Sequence, residues 1–401
     1  MRVNQDSRTI EKGEWFIAVK GKDFDGHSFI PEVLKKGVAG VLEEKDLFEL
    51  AREKVDELQP KVVAVTGSYG KTSTKEAIYK VLSSKFEVLR ASGNLNTPRG
   101  IAIEVVNELK PRHQVLVVEM GMDRLGEIAK SCEIVRPAVG VITAVGEMHL
   151  EKLKTLARIK RAKAELLRAL AFSGGTAILN KDDVGVREIA EGFSGKKLWY
   201  GSQPTAAYSF SCLEGVELRL LGEGGRYAAL AAFSVGRELG VSRAAVVKAL
   251  GGLRPLEGRL CLRYGRRGVQ IIDDTYNAGP RSAAVALRVL QEFPVKSGRR
   301  IAVLGDMLEL GRVEEKAHRE VVRGAVKIAD RYLFVGKRMK KGVESAGAAK
   351  SMRSVTLVNN AGDAIEVLKH WRLGRGDVVL VKGSRGMQME KVVASLLQVV
   401  T

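Results

Sequence analysis

The strongest chemical signal lies in VVAVTGSYGKTSTKEAI (residues 62–78), where an apolar run passes through a glycine-containing turn into a helical pattern. Glycines let backbone N–H groups converge on phosphate oxygens, Lys71 supplies a point charge, and the Thr72 hydroxyl suits Mg²⁺ at a positive helix N-terminus. Thr66, Gly67, Ser68, Gly70, Lys71, Thr72 and Ser73 are therefore the candidate phosphate ligands. The motif GxxxxGK[ST] is not strictly met, because Val65 stands where its first glycine would be. An ordinary turn is the bland alternative, and the strand before and helix after argue against it.

A second signal is a pair of metal-suited side chains. Glu119 ends the apolar run VLVVEM and His149 follows AVGVITAVGEM, so both project at the carboxyl edge of a parallel sheet, beside the phosphate loop. Taken singly, a salt-bridge partner or a helix cap would explain either. Together, a carboxylate and an imidazole beside a triphosphate suit Mg²⁺ that offsets charge on a transferring phosphoryl group.

Positioning such groups requires alternating strands and helices, and the chain supplies two series of them. The first runs through VVAV (62–65), a helix over 72–85, VLVVEM (115–120), AVGVITAV (138–145), a helix over 155–171 and TAILN (176–180). The second runs through VQIIDD (269–274), IAVLGD (301–306), YLFVG (332–336) and DVVLVKG (377–383). Continuous apolar strands alternating with amphipathic helices predict parallel sheets covered on both faces. Residues 192–225 read as short strands and turns, 227–250 as helical, and 255–262 as a hinge. Ahead of both series, residues 1–60 form a small unit with a strand at 15–19, a helix over 31–36, a strand at 39–42 and a charged helix over 47–58. The fold class is α/β with three domains: a small N-terminal α/β domain (1–60), a central P-loop parallel-sheet ATPase domain (61–258) and a C-terminal Rossmann-like α/β domain (259–401).

Composition narrows the class. In 401 residues, 66 Lys+Arg against 47 Asp+Glu give a formal net charge of +19, with 45% hydrophobic and 28% charged residues, which is globular. No apolar run approaches the ~18–20 residues that cross a bilayer, and the first ten residues lack a signal peptide's apolar stretch. A soluble cytoplasmic protein is expected, with no membrane span. Cys132, Cys212 and Cys261 are far apart, so neither a disulfide framework nor a zinc site is indicated. The basic excess favours anionic partners, but aromatics are only 5%, leaving few platforms for stacking bases; nucleic acid is not expected.

TGSYGKT, GNLNT (93–97), VEMGM (118–122), RPAVGVITAVGEMHLE (136–151), RAKAELL (161–167), IIDDTYNAGP (271–280), GDMLELG (305–311) and VKGSRG (381–386) resemble the Mur ligases, three-domain ATP-dependent enzymes of peptidoglycan precursor synthesis. The resemblance covers nearly the whole chain. GDMLELG followed by His318, and the late KGSR, look most like the MurF branch, which joins D-alanyl-D-alanine to a UDP-N-acetylmuramoyl-tripeptide. DSR (6–8) and DGH (25–27) are similar to the uridine-nucleotide domain of that branch.

The resemblance implies ATP and Mg²⁺ as cofactors, a small anionic substrate (a UDP-linked peptide or other polycarboxylate), an amine donor, and action as a monomer. It implies activation of a carboxylate as an acyl phosphate and attack on it by an amine. Lys71, His149 and Lys163 are the implied catalytic residues. Thr72, Glu119, His149 and Lys163 are the implied metal ligands, Lys163 through a carbamate that turns a cation into a carboxylate-like group. Arg259, Asp274 and Asn277 match positions that reach ATP from the C-terminal domain. Ser7, Arg8, His27, Asn94, Asn96, Thr97, Lys382, Ser384 and Arg385 match substrate-binding positions. Three departures accompany the match. Asp6 comes almost at the start, where the family has a longer lead-in, so a shortened uridine domain with a weaker hold is expected. GRYAALAAF (225–233) offers Arg226 and Tyr227 where MurF sequences carry an adenine-side Asn. The usual NANP reads Asn277-Ala278-Gly279-Pro280. These departures keep open a paralogue acting on another acid, such as an archaeal pseudomurein or tetrapyrrole cofactor precursor. A nucleotide-dependent binding protein is the alternative outside enzymes; Lys71, Thr72, Glu119 and His149 together argue against it.

Overall fold

The computed structural model describes residues 1–21, 25–93, 95–146 and 150–397. Sixteen strands form three sheets among these residues. β1 (Val3–Asn4), β2 (Trp15–Ala18) and β3 (Gly40–Glu43) make a small parallel sheet. Its own core is thin: Ile10, Phe16, Ala18 and Val33. The charged helix Glu44–Leu58 supplies the missing burial by facing the helix Pro98–Glu108 of the next sheet, with Lys54 Nζ donating to Val106 O at 2.6 Å and Arg99 Nε donating to Glu44 Oε1 at 2.7 Å. At the other end Asn107 brackets β1, accepting from Val3 N at 2.8 Å and donating to Val3 O at 2.9 Å. Residues 1–146, 155–216 and 227–250 accordingly form one compact unit.

The central sheet has the order β10-β9-β8-β7-β4-β6-β5, every pair parallel. Its strands are β4 (Lys61–Thr66), β5 (Val88–Arg90), β6 (Val115–Glu119), β7 (Val139–Ile142), β8 (Thr176–Asn180), β9 (Lys196–Gly201) and β10 (Tyr208–Ser209). β6, β7 and β8 are buried at every position, which is why they read as unbroken apolar runs rather than alternating ones. The chain leaves β4 to one side for β5 and β6, then crosses to β7 on the other side. This reversal flanks β4 and opens a crevice at its carboxyl end, the place where open α/β sheets bind ligands.

The remaining sheet has the order β11-β12-β16-β13-β14-β15, in which β11 (Cys261–Tyr264) runs antiparallel to its neighbour and the other strands are parallel. These are β12 (Gln270–Asp274), β13 (Arg300–Gly305), β14 (Arg331–Val335), β15 (Val355–Val358) and β16 (Val378–Lys382). The last strand inserts between β12 and β13 and makes a second switch point. One apolar face packs the helices Pro280–Glu292, Glu314–Ala325 and Lys337–Ala346, the other Ala361–His370 and Glu390–Leu397. Residues 217–226 cluster with this unit rather than with the sheet that precedes them. The helical stretch expected over 227–250 is two helices, Gly222–Glu238 and Arg243–Gly251, separated at Gly240, whose φ of +74° an L side chain would strain.

Candidate active site

The turn after β4 is held from below. Thr143, just past β7, donates to it: its Oγ1 lies 2.5 Å from Tyr69 O and 3.3 Å from Thr66 O. Ser68 is tied by its N–H to Ala144 O at 2.8 Å and by its hydroxyl to Gly146 O at 2.9 Å. Gly67 has φ +150°, and a Cβ there would sit 2.0 Å from Thr143 Oγ1, so the turn closes only on glycine. Gly70 caps the following helix at φ +78°, and that helix begins at Lys71. Four N–H groups at a helix start have no intrahelical acceptor, so the turn presents donors and a positive dipole end in the crevice. Lys71 Nζ donates back to Gly67 O at 2.8 Å, which keeps the ammonium over the loop. Thr72 and Ser73 follow in the first helical turn.

Glu119 ends β6 beside β4 and is 4% exposed. Asn96 Nδ2 donates to its Oε1 at 3.2 Å, and Gly121 N donates to Asn96 O at 2.8 Å, so the 95–97 segment lies against the carboxylate. Thr97 caps the helix Pro98–Glu108, accepting from Gly100 N at 3.1 Å. Lys163, on the helix Leu156–Ser173, is 2% exposed, and its Nζ lies 3.1 Å from Thr66 Oγ1, whose hydroxyl in turn donates to Met120 O at 2.7 Å. Burial first, and then the positive charge of Lys71, push the Lys163 ammonium well below the usual lysine range; Glu119 and Glu165 oppose this less strongly. Both effects act against the charged form and toward the amine with its lone pair available. Glu165 is otherwise engaged, accepting from Gly126 N at 2.7 Å and Ala129 N at 3.0 Å, and so caps the helix Glu127–Val135 and fixes the Lys163 helix.

Thr66, Gly67, Ser68, Gly70, Lys71, Thr72, Glu119, Asn96 and Lys163 thus come together at the carboxyl end of β4. His149 and Asn94 lie outside the described residues. The structure adds Thr143 and Glu165, which sequence reasoning did not single out. Both lie inside motifs quoted for other residues, and neither type marks itself.

In the C-terminal unit, Asp274 ends β12 and Lys382 ends β16. Lys382 Nζ donates to Asp274 Oδ2 at 2.5 Å and to Asn277 O at 2.9 Å, while Leu260 N donates to Asp274 Oδ1 at 3.2 Å. The guanidinium of Arg259 lies 4.0 Å from the Tyr276 ring centroid and that of Arg385 lies 5.3 Å from it. Ser384 is 2% exposed, accepting from Leu308 N at 2.8 Å and donating to Ala278 O at 3.3 Å. His318 is fully buried and pins the same loop: its Nε2 accepts from Met307 N at 2.9 Å while Nδ1 donates to Glu314 O at 2.7 Å. That fixes one neutral tautomer, and burial lowers its pKa.

In the small sheet, Arg8 forks onto Asp6 with Nε–Oδ1 at 2.9 Å and Nη2–Oδ2 at 2.7 Å, holding that carboxyl down at about 2. Ser7 is nearly buried, and its carbonyl accepts from Lys36 Nζ at 2.6 Å. His27 bridges Asp25 at 2.6 Å and Glu43 at 3.0 Å, and hydrogen bonds to these two carboxylates raise its pKa. Tyr227, in the helix expected to face adenine, donates to Asp182 Oδ2 at 2.9 Å and packs its ring 5.1 Å from Phe210.

Among the described residues no group of three or more His, Cys, Asp and Glu side chains could hold a metal ion. The donors that are present, the Glu119 carboxylate and the Thr72 hydroxyl beside a phosphate loop, fit Mg²⁺, which takes one or two protein oxygens and completes its shell with phosphates and water. No helix among the described residues is long and apolar enough to cross a membrane.

Three family models match the chain: "Mur ligase family, catalytic domain" over residues 2–90, "Mur ligase middle domain" over 65–233 and "Mur ligase, glutamate ligase domain" over 258–385. The UDP-N-acetylmuramoyl-tripeptide--D-alanyl-D-alanine ligase of Bacillus subtilis is 31% identical over 433 residues, covering 99% of this chain and 93% of its own. The structure of MurF ligase from Thermotoga maritima in complex with ADP superposes with a TM-score of 0.84 at 29% identity, covering 98% of this chain and 96% of its own. A pseudomurein peptide ligase type C from Methanothermus fervidus shares the fold at a TM-score of 0.69 but only 17% identity, covering 95% and 86%.

Proposed function

The chain belongs to the Mur ligase family, and from that premise we propose that it joins D-alanyl-D-alanine to a UDP-N-acetylmuramoyl-tripeptide at the expense of ATP. The observation that carries this reading is the convergence on one strand end of a phosphate loop, a buried carboxylate and a buried lysine. In the reaction a carboxylate oxygen takes the γ-phosphoryl group of ATP, releasing ADP. The amine of the dipeptide then attacks the carbonyl carbon, phosphate leaves, and an amide remains. Three domains, 1–60, 61–258 and 259–401, divide the work between the uridine substrate, ATP and the incoming dipeptide.

Backbone N–H groups of Gly67 and Gly70 and the Lys71 ammonium hold the phosphate oxygens, with Thr66, Ser68 and Ser73 flanking. Thr72, Glu119 and His149 would hold Mg²⁺, which offsets negative charge on the transferred group. Burial and Lys71 push Lys163 toward the neutral amine that adds CO₂: its lone pair forms the N–C bond, one proton is lost, and the resulting carbamate carries oxygens where the lysine carried a cation. Arg259, Asp274 and Asn277 serve ATP from the C-terminal unit. Asn94, Asn96 and Thr97, with Lys382, Ser384 and Arg385, orient the acceptor and the dipeptide, while Ser7, Arg8 and His27 face the uridine nucleotide. In the small sheet Asp6 fixes Arg8 through two of its donors, and Asp25 and Glu43 fix His27, so both side chains are held in place for the nucleotide. The reaction runs in the cytoplasm, with the protein acting as a monomer.

A different acidic substrate is not favoured, since the pseudomurein ligase likeness is one of fold alone. The deciding experiment is ATP turnover with the UDP-tripeptide, with and without D-alanyl-D-alanine, read by ADP release and product mass. Dipeptide-dependent ADP release and a product heavier by one dipeptide residue pair are expected. ADP release with another acid but none with the UDP-tripeptide would overturn the assignment.

A further inference from the structure

The basic excess is not evenly spread. Residues 251–401 carry 28 Lys+Arg against 15 Asp+Glu, so +13 of the +19 falls in this part of the chain. Within it the charge concentrates at one place, the amino edge of the C-terminal sheet. The turns entering β12, β16, β13, β14 and β15 (265–269, 371–377, 293–299, 326–330 and 347–354) contain nine Lys and Arg and two acids.

These turns form one continuous edge because they are hydrogen-bonded in succession: Gln270 N to Asp377 O at 2.9 Å, Val378 N to Arg299 O at 2.9 Å, Asp330 N to Arg300 O at 2.8 Å, and Tyr332 N to Ser354 O at 2.8 Å. Both acids are turned to internal use. Asp377 is 5% exposed and pairs with Arg299 at 2.6 Å, while Asp330 accepts from Arg300 N at 2.9 Å and from Arg353 at 3.0 Å. Arg266, Arg267, Arg372 and Arg375 are exposed, and Lys296 and Lys327 continue the row across the sheet. With strands about 4.8 Å apart, six strands spread this charge over roughly 24 Å. Tyr264, 68% exposed at the end of β11, stands beside Arg266 and Arg267.

Cations at helix C-termini are commonly explained by the helix dipole. That accounts for Lys369 and Arg323, in the last turns of their helices. It does not account for Arg266 and Arg267, which follow a strand, or for Arg375, five residues beyond the helix end at His370. We propose that this edge is a docking face for an anionic lipid bilayer surface. A delocalised field of negative headgroups matches a broad, shallow row of cations, each of which adds to the partition, and an exposed Tyr suits the headgroup level. Nucleic acid fits less well: of the three aromatic residues here, Phe293 is buried and Trp371 has its ring covered by the Arg331 guanidinium at 5.1 Å, which leaves Tyr264 for stacking. The ligand-bearing carboxyl edge, with Asp274, Lys382 and Ser384, lies at the opposite end of the same strands, so docking leaves it turned away from the lipid.

The test is sedimentation of the full chain with vesicles of phosphatidylcholine alone or with one third phosphatidylglycerol, at low and high salt. Binding to the anionic vesicles only, weakening with salt, is expected. R266E/R267E/R372E/R375E should lose about tenfold or more in partition while keeping its melting temperature and its ATP turnover. A control of equal net charge, K12E/K45E/K80E/R112E, should retain most of the binding. The proposal is overturned if wild type ignores anionic vesicles, if both variants lose binding equally, or if duplex DNA is bound more tightly than the vesicles at the same salt.

Discussion

Lys163 and Lys382 are the same residue type, each 2% exposed, each at the carboxyl edge of a mostly parallel sheet, yet they have opposite surroundings. Lys382 meets a carboxylate at 2.5 Å and a carbonyl at 2.9 Å. Lys163 meets the hydroxyl of Thr66 at 3.1 Å, and a second cation, Lys71, adds to the burial that drives off its proton. Burial alone therefore does not decide what a lysine does; the partner does. Paired, it is a structural cation that fastens β12 to β16. Left with a hydroxyl, it is pushed toward the neutral amine, a nucleophile, and the cost of burying it is borne by the rest of the fold.

The largest effect should come from breaking the paired member. Lys382→Met leaves the Asp274 carboxylate, 13% exposed, without its cation; removal of one partner of a buried pair costs about 3–5 kcal/mol, and the partial exposure of Asp274 puts this change toward the lower end. Lys163→Met should have the other sign. An unfolded lysine holds its proton up to about pH 10.5, and the folded one does not, so the unfolded state binds more protons throughout the window between the two values. Stability then rises with pH across that window, and Lys163 is destabilising below it. Denaturant titration at neutral pH should show Lys382→Met weakened and Lys163→Met unchanged or strengthened. Loss of similar size in both would erase the distinction.

Next in size is Lys71→Ala. It removes a charge aimed at phosphates and should lower kcat about 10²–10³-fold, or roughly 3–4 kcal/mol, with the fold intact. The same change removes a cation that depresses Lys163, so the Lys163 ammonium should titrate higher in this variant. Wild-type turnover in folded Lys71→Ala would remove the phosphate loop from the site.

Lys163→Ala should cost about 10–100-fold in turnover, the range for a group that supports a metal, and short added carboxylic acids should restore part of it. Carbon-13 spectra in labelled bicarbonate should show a carbamate in wild type and in Lys382→Met, but none in Lys163→Met. A carbamate that survives Lys163→Met would place the modification elsewhere.

Much of this arrangement could be read from residue order alone. The inner strands of the two larger sheets announce themselves as unbroken apolar runs because both faces are covered, and the phosphate turn declares itself through Gly67 and Gly70 between a strand and a helix. What could not be read is tertiary in origin. Lys163 is one of two lysines and three arginines in its helix, and the packing of that helix against Thr66 makes it unusual. Asp274 and Lys382 are 108 residues apart, and nothing local joins them until β16 inserts beside β12. The strands Val3–Asn4 and Val88–Arg90 are too short to carry a periodic signal, and the separate clustering of 217–226 arises from contacts far along the chain. Ser7, Arg8 and His27 were legible as a motif, but their engagement by Lys36, Asp6, Asp25 and Glu43 was not.

The smallest effect extends the same contrast to histidine. His318 is buried between a backbone N–H and a carbonyl, with its pKa lowered, whereas His27 is half-exposed between two carboxylates, with its pKa raised. For His318 the unfolded state gains a proton near pH 6.5 while the folded state does not. Its contribution is therefore present above pH 6.5 and lost as pH falls from there through the folded value. For His27 the sign reverses: the contribution is full below about pH 6.5 and fades as pH rises through the folded value. Ring-proton titration should place the His27 midpoint above about 6.5 and that of His318 below it. His318→Asn should flatten the acid side of the stability curve and cost about 1 kcal/mol at neutral pH for the lost bond to Met307 N, and His27→Ala should flatten only the alkaline side. Equal midpoints would mean that these partners do not set the protonation of either ring, and the rule drawn from the two lysines would not carry over to histidine.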